Sequence, residues 1–127
     1  MAKANVSSEW LKKAENDLAL ARLAANGSFF DWAQLACQQS AEKALKAVCI
    51  SKGIGLIKTH ELISLAMKAG APKEIVSKAG FLNSFYFASR YPDAVVDMGK
   101  DSLILATNQA LENAEGVILW SKQQVKT

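Results

Sequence analysis

The segment FFDWAQLACQQSAEKALKAVCISKG, Phe29–Gly53, decides the fold. It is rich in alanine and contains no proline and no glycine before its last residue, so helix-forming residues continue without a break. We therefore predict a long helix that Gly53 terminates. Its buried stripe should contain small and apolar residues, whose size lets a neighbouring helix come close: Ala33, Ala36, Cys37, Ser40, Ala41, Ala44, Leu45 and Val48.

A first helix precedes this segment. Ser7 or Ser8 can cap it, and apolar residues then recur at three- and four-residue steps to about Ala25. The sequence NGS, residues 26–28, should end the helix, because asparagine and glycine tolerate the left-handed conformation of a helix C-cap.

Two helices follow the long one. Thr59 is a predicted N-cap for a short helix over about residues 61–69, which Gly70 closes. Pro72 suits the first turn of a fourth helix, whose apolar pattern continues to Arg90.

A proline marks the end of the fourth helix. Because proline disfavours helical geometry in the residue before it, Tyr91 should leave the helix and Pro92 should fix the exit. After a polar loop, Asp101 or Ser102 can cap a last helix that reaches about Gln123.

These elements predict an all-α fold: an antiparallel, up-and-down four-helix bundle with an additional short helix, because no segment alternates with period two long enough to be a strand. The 127 residues suit a single domain with its core over about residues 8–123. Apolar residues at 84–87, 103–105 and 117–120 exceed what one buried stripe per helix requires. The excess indicates a partner, most simply a second copy.

Charge and targeting signals exclude several classes of protein. Fifteen basic and twelve acidic residues are mixed along the chain, and no basic arm for nucleic acid stands out despite the net charge of +3. The N-terminal stretch resembles no secretory signal and no run of residues is apolar enough for a membrane span, so we expect a cytoplasmic protein.

No metal or cofactor site is predicted. His60 is the only histidine, and the two cysteines, Cys37 and Cys49, lie on one helix about 18 Å apart, too far for a disulfide and without a metal-ligand spacing. They are better explained as small core residues. His60, at the start of the short helix, has either a structural role or that of a general base.

Polar residues on the long helix have two interpretations. Gln38, Glu42 and Lys46 follow at four-residue steps, and Gln39 and Lys43 form a parallel pair. They form a solvated face with a favourable Glu42–Lys46 pair, or Gln39, Lys43 and Lys46 contact phosphates or bases.

The residues that end the fourth helix also have two interpretations. Arg90 can complete the C-terminal dipole and Asp93 can accept its hydrogen bond. Alternatively, Arg90 and Tyr91 present a planar cation and an aromatic face to a nucleotide.

Four segments carry a resemblance to a known family: EWLKKAENDLALARLA, DWAQLACQQSAEKALKAVCISKG, THELISLAMKAG and FASRYPDA. In this order they resemble the HEPN domains, specifically the small stand-alone prokaryotic type with an RYPD segment, over about residues 8–120. The resemblance implies a dimerising helical bundle, often encoded with a minimal nucleotidyltransferase in toxin-antitoxin-like or defence pairs.

Many HEPN proteins are metal-independent ribonucleases in which an arginine is followed, after four to six residues, by a histidine. Arg90 matches this arginine, but Val95–Asp97, where the histidine would stand, contains none. Metal-free RNA cleavage needs a group that exchanges protons near neutral pH. We therefore expect a homodimeric module that binds a nucleotide or RNA, or the nucleotidyltransferase, and has no catalytic residue.

By the same resemblance the binding residues are Arg90, Tyr91 and Asp93, with Gln39, Lys43 and His60 as second-rank candidates. Two alternatives stay open: a metal-independent endoribonuclease that uses Arg90 and His60, and a purely structural assembly partner whose polar residues only cap helices.

Overall fold

The computed structural model describes residues 3–90 and 99–125, and over these residues the chain is all-helical without a strand. The five helices are α1 (Lys3–Asn26), α2 (Phe30–Ser51), α3 (Leu62–Lys68), α4 (Lys73–Arg90) and α5 (Lys100–Gln124). Each predicted helix is present within a few residues of its expected place, and the predicted all-α fold is confirmed. The predicted exit from α4 at Tyr91 and Pro92 lies outside the described residues.

The long helix predicted from Phe29–Gly53 is the centre of the fold. It contacts all four other helices, and every residue of its predicted inner stripe is buried. Ser40 Oγ donates a hydrogen bond of 2.8 Å to the main-chain oxygen of Ala14 in α1. A side chain of this size reaches the backbone of the next helix only where the two helices lie close, as the small residues predict.

Contacts between helices establish the up-and-down topology. The ion pairs Glu15–Lys122 and Arg22–Glu115 show that α1 and α5 are antiparallel, since the residue number rises along one helix as it falls along the other. Asp17 of α1 pairs with Lys43 of α2, near the middle of both helices. The helices α1, α2, α4 and α5 form the bundle, and α3 packs against α2 and α4.

The predicted caps of the first and last helices are wrong. Ser7 is buried within α1, which already extends from Lys3. The N-cap of α5 is Gly99, in extended geometry, rather than Asp101 or Ser102. Gly99 caps α5 without a side-chain hydrogen bond, so the preference of aspartate and serine for the cap position did not locate this end.

The short helix α3 begins at a carboxylate rather than at the predicted cap Thr59. Glu61 is its N-cap, and its two carboxylate oxygens accept hydrogen bonds from the backbone N–H groups of Ser64, at 2.8 Å, and Ile63, at 3.0 Å. Thr59 Oγ1 instead accepts from the N–H of Glu61. A negative charge at this position also complements the helix dipole.

Left-handed residues close the helices, although not always at the predicted place. Gly53 and Gly70 have φ of 80° and 78° after α2 and α3, as predicted. After α1, however, the left-handed residue is Ser28, with φ of 65°, rather than Asn26 or Gly27. The N–H of Phe29 reaches back to the oxygen of Ala24, which fixes this tight connection.

The core is one continuous cluster to which all five helices contribute, and α2 supplies more of its residues than any other helix. None of the helices in the described part of the chain is long and apolar enough to cross a membrane.

Candidate functional site

Four polar residues meet beside α2 and form what we call the His60 cluster: Gln38, Glu42, Lys46 and His60. The three α2 residues stand at four-residue steps, so they lie on one side of the helix, and His60 stands in the connection that leads to α3. Glu42 and Lys46 are only 8% and 7% exposed. The interpretation of these two residues as a solvated face is therefore wrong.

Glu42 is the centre of the His60 cluster. Lys46 Nζ donates a hydrogen bond of 2.9 Å to Glu42 Oε2, and His60 Nδ1 lies 3.0 Å from Oε1 and 3.2 Å from Oε2 of the same carboxylate. Lys46 also lies over the ring of Trp10 in α1, 5.9 Å from its centroid. The buried carboxylate is thus paired with a cation, as a charge without water must be.

Gln38 attaches the connection before α3 to α2. Its amide Nε2 donates to the main-chain oxygen of His60 at 3.3 Å and to Glu42 Oε1 at 3.4 Å. Its Oε1 atom is buried without a hydrogen-bond partner among the described residues. Gln38 therefore fixes both the backbone of His60 and the carboxylate that its ring contacts.

His60 is the member of the cluster that reaches solvent, with 67% of its side chain exposed. A carboxylate at Nδ1 places the proton of the neutral ring on that nitrogen and sets the ring's orientation. The cluster thus holds the exposed His60 imidazole in a fixed orientation against the buried Glu42 carboxylate, which Lys46 neutralises.

Asn83 in α4 binds Glu61 and Leu62, the two residues that follow His60. Its Nδ2 donates to Glu61 Oε2 at 3.0 Å, and its Oδ1 accepts from the N–H of Leu62 at 3.2 Å. Arg90, the last residue of α4, follows seven positions later. Because seven residues are close to two helical turns, the Cα of Arg90 lies about 10 Å further along the same face of α4.

The second-rank candidates do not meet in one cluster. Lys43 Nζ pairs with Asp17 Oδ2 at 2.6 Å, between α2 and α1. Gln39 lines a groove with Leu20 and Trp32 on that same side. His60, by contrast, lies toward α3 and α4. The Arg90 side chain, Tyr91 and Asp93, the residues ranked first, lie outside the described part of the chain.

Sequence reasoning noticed the spacing of Gln38, Glu42 and Lys46 but did not assign them to the site. Their spacing carried no signal of burial, because a four-residue step is the same for a solvated pair and for a buried one. Trp10 was missed because its contact with Lys46 joins two helices.

The two cysteines are free and buried. Burial raises the pKa of Cys37 to about 12, against a smaller opposing effect of Arg22. Burial likewise raises the pKa of Cys49, opposed by Lys52 and Lys68. Neither thiol is therefore activated as a nucleophile. Within residues 3–90 and 99–125, no three histidine, cysteine, aspartate or glutamate side chains are grouped so as to hold a metal ion.

Comparisons with known proteins agree on one family. The model of the HEPN domain matches residues 7–124. The fold is similar to the crystal structure of ST0689, an archaeal HEPN homologue, with a TM-score of 0.78 and 31% identity over 94% of this chain and 98% of that one. It is also similar to TT1696 from Thermus thermophilus, with a TM-score of 0.82 and 26% identity over 93% of this chain and 97% of the other. No curated protein matches the sequence.

Proposed function

Since the chain belongs to the HEPN domain family, we propose that it is a homodimeric module that binds a nucleotide or RNA without cutting it. The binding surface comprises the His60 cluster and the end of α4 at Arg90. One observation carries the proposal: Glu42 holds the His60 ring at Nδ1 while 67% of that side chain remains exposed. An oriented imidazole at the surface is suited to a ligand rather than to the core.

The charges of the cluster suit an anionic ligand. Lys46 neutralises Glu42, so the buried carboxylate does not repel a phosphate group. The guanidinium of Arg90 can bind phosphate through two hydrogen bonds and can stack on a base. Single-stranded nucleic acids are recognised by this combination of a cation and a planar ring.

The absence of a histidine after Arg90 favours binding over cleavage. Residues 95–97, where the family's ribonucleases carry that histidine, are Val95, Val96 and Asp97. Without an imidazole at that place the arginine can hold a phosphate but lacks the family's partner for proton transfer near neutral pH.

We further propose that the chain belongs to the RYPD type and acts in the cytoplasm with a minimal nucleotidyltransferase, in a toxin-antitoxin-like or defence pair. This partnership rests on the resemblance of the RYPD segment, Arg90–Asp93, to that type. Sequencing the adjacent reading frame tests it, since a neighbouring nucleotidyltransferase supports the pairing and an unrelated neighbour counts against it.

The chain's two arginines provide a matched test of binding. A fluorescent single-stranded oligoribonucleotide is titrated with protein in EDTA, and binding is followed by anisotropy. Arg90→Ala should weaken binding about tenfold, roughly 1.4 kcal/mol. Arg22→Ala should not, because Arg22 pairs with Glu115 between α1 and α5.

The same samples distinguish the alternatives. The RNA should remain full length throughout the titration. Loss of a phosphate contact should make the slope of log binding constant against log salt concentration shallower by about 0.7 per contact. Equal affinities of the two arginine variants would remove Arg90 from the site. No saturable binding of mononucleotides or RNA by the wild type would leave the purely structural role.

A metal-independent endoribonuclease remains a second candidate, because a specific contact favours it. A carboxylate at Nδ1 of an exposed histidine is the arrangement that orients a general base. Under this alternative, RNA is cleaved in EDTA and both His60→Ala and Arg90→Ala abolish cleavage. Glu42→Gln would then reduce the rate while leaving RNA affinity unchanged.

A further inference from the structure

We infer that a second copy of this chain covers a specific surface at the junction of α1 and α2, which we call the Trp32 face: Leu20, Leu23, Phe29 and Trp32. The inference rests on the homodimer that the proposed function includes, and it locates the interface. It is independent of whether the His60 cluster binds a nucleotide.

The four side chains of the Trp32 face are large, apolar and exposed: 57% for Leu20, 71% for Leu23, 64% for Phe29 and 67% for Trp32. Leu20, Phe29 and Trp32 lie around two hollows that share Trp32, and Leu23 stands three residues after Leu20, one turn further along α1. One hollow, of about 400 Å³, has Leu20 and Leu35 in its wall, and the other, of about 290 Å³, has Phe29 and Leu103. The exposed residues therefore form one surface rather than isolated positions.

The area of the Trp32 face suits a dimer. Two aromatic rings and two leucines exposed to this degree present about 400 Å² of apolar surface. A homodimer interface of ordinary size buries about 800 Å² on each partner, of which roughly 500 Å² is apolar. The half-buried Leu35 and Leu103, in the walls of the hollows, add to this apolar surface.

The charges around the Trp32 face favour a protein partner over RNA. Asp17 and Asp31 border the hollows, and the nearby Lys43 is already paired with Asp17. With Asp17 paired, the lining of the two hollows contains, among the described residues, no basic residue that would attract a phosphate backbone. An apolar centre with aromatic residues and charges only at its edge is typical of a protein interface.

The shape of the Trp32 face suits a copy of itself. A two-fold dimer places the same patch on both sides, so each patch must offer both a projection and a recess. Trp32 is an exposed projection, and the hollow of about 400 Å³ beside it is the recess. The indole of each protomer can thus enter the hollow of the other.

This surface also leads to the candidate site. Leu35, Gln39 and Glu42 follow at four- and three-residue steps, so they share one stripe of α2. The Trp32 face therefore continues along α2 into the His60 cluster. Glu42 stands ten residues after Trp32, about 15 Å along α2, so a second copy on this face would lie next to the His60 cluster.

A pair of matched leucine substitutions tests the inference. Molar mass is measured by light scattering and by sedimentation equilibrium for the full chain, for Leu23→Asp and for Leu119→Asp. Both leucines are exposed on helices, at 71% and 54%, but Leu119 lies between α1 and α5 beside a different hollow. Leu23→Asp should raise the dissociation constant of the dimer at least a hundredfold, and Leu119→Asp should leave it unchanged.

A second measurement does not depend on a variant that dissociates the dimer. The emission of Trp32, taken as the difference between the wild type and Trp32→Phe, should shift to the blue as protein concentration rises.

A dimer that survives both Leu23→Asp and Trp32→Asp, or one that Leu119→Asp disrupts equally, would overturn the interface but not the homodimer. A wild type that remains a monomer at 100-fold higher concentration than the RNA-binding assay uses would overturn both, while leaving RNA binding as a separate result.

Discussion

Glu42 is the residue at which stability and the candidate site meet. Its carboxylate contacts Lys46, His60 and Gln38 while it is almost fully buried. A buried ion pair adds little net stability compared with apolar residues of similar size, but breaking it leaves one charge without a partner. This asymmetry gives a direct test of whether the cluster is as buried as the structure shows.

We predict that Glu42→Leu and Lys46→Leu each lower the free energy of unfolding by about 3 kcal/mol, whereas the double variant loses less than the sum of the two. Urea denaturation measures all three. The control is the exposed pair Glu15–Lys122, whose side chains are 46% and 49% exposed. Removal of either partner there should cost less than about 1 kcal/mol. Additive losses at Glu42 and Lys46 would contradict the buried pair.

Cys37 gives the protein a predicted sensitivity to alkali. Its pKa is raised by burial to about 12, from an ordinary value of 9.0. Between these values the unfolded chain loses the thiol proton while the native protein retains it, so stability present below pH 9 falls as pH rises. The slope from this thiol is at most about 1.4 kcal/mol per pH unit.

The variant Cys37→Ala should therefore show a flatter decline of unfolding free energy between pH 9 and pH 10.5 than the wild type, as measured by urea denaturation at several pH values. Its stability at pH 7 will be lower, since it removes a buried side chain, so only the slope is diagnostic. Identical slopes would show that the Cys37 thiol reaches solvent in the native state.

At the scale of single residues, the sequence predicted which positions of α2 are buried but not which polar residues contact one another. Burial along α2 followed from periodicity, and Arg90 was placed at the end of its helix. The roles of Glu42 and Lys46 did not follow, because a four-residue spacing is the same for a solvated pair and for a buried one. The two cases differ in whether other parts of the chain cover the pair. Here Trp10 and the connection that contains His60 cover Glu42 and Lys46, and both are distant from them in the sequence.

At the scale of helices and their connections, the elements could be predicted but several caps could not. Glycine, proline and apolar periodicity locate all five helices because these signals are local. The caps Glu61 and Gly99 replace Thr59 and the pair Asp101 and Ser102. Asn83 of α4, distant in the sequence, holds the Glu61 carboxylate, and Gly99 caps α5 without a side-chain hydrogen bond. The connection from α1 to α2 shows the same limit, with the left-handed residue one position later than Gly27.

We predict that Ser28→Gly stabilises this connection. Ser28 has φ of 65°, a conformation that costs a non-glycine residue about 1 kcal/mol or more, while glycine adopts it without steric cost. Allowing for the greater freedom of glycine in the unfolded chain, the net gain should be about 0.5 kcal/mol. Thermal denaturation measures this gain in stability. The control is Ser77→Gly, at an exposed position of α4, which should lower the stability by about 0.5 kcal/mol because glycine is a poorer helix former than serine. A destabilised Ser28→Gly variant would contradict the left-handed geometry.

At the scale of the whole molecule, the chain is an HEPN bundle organised around α2. One side of this helix carries the His60 cluster, and the same stripe continues to the Trp32 face. The proposed dimer interface and the proposed binding surface are thus adjacent along α2. Contacts between two copies and with a ligand depend on surfaces, and a sequence indicates these only as an excess of apolar residues or as a resemblance.

The most direct test of binding without cleavage uses the only histidine of the chain, His60, whose imidazole resonances need no assignment. An NMR titration of the dimer with a single-stranded oligoribonucleotide in EDTA should shift these resonances saturably, and the recovered RNA should be full length. Arg90→Ala should need about tenfold more RNA for the same shift. An imidazole unaffected by bound RNA, or RNA cut during the titration, would contradict the account.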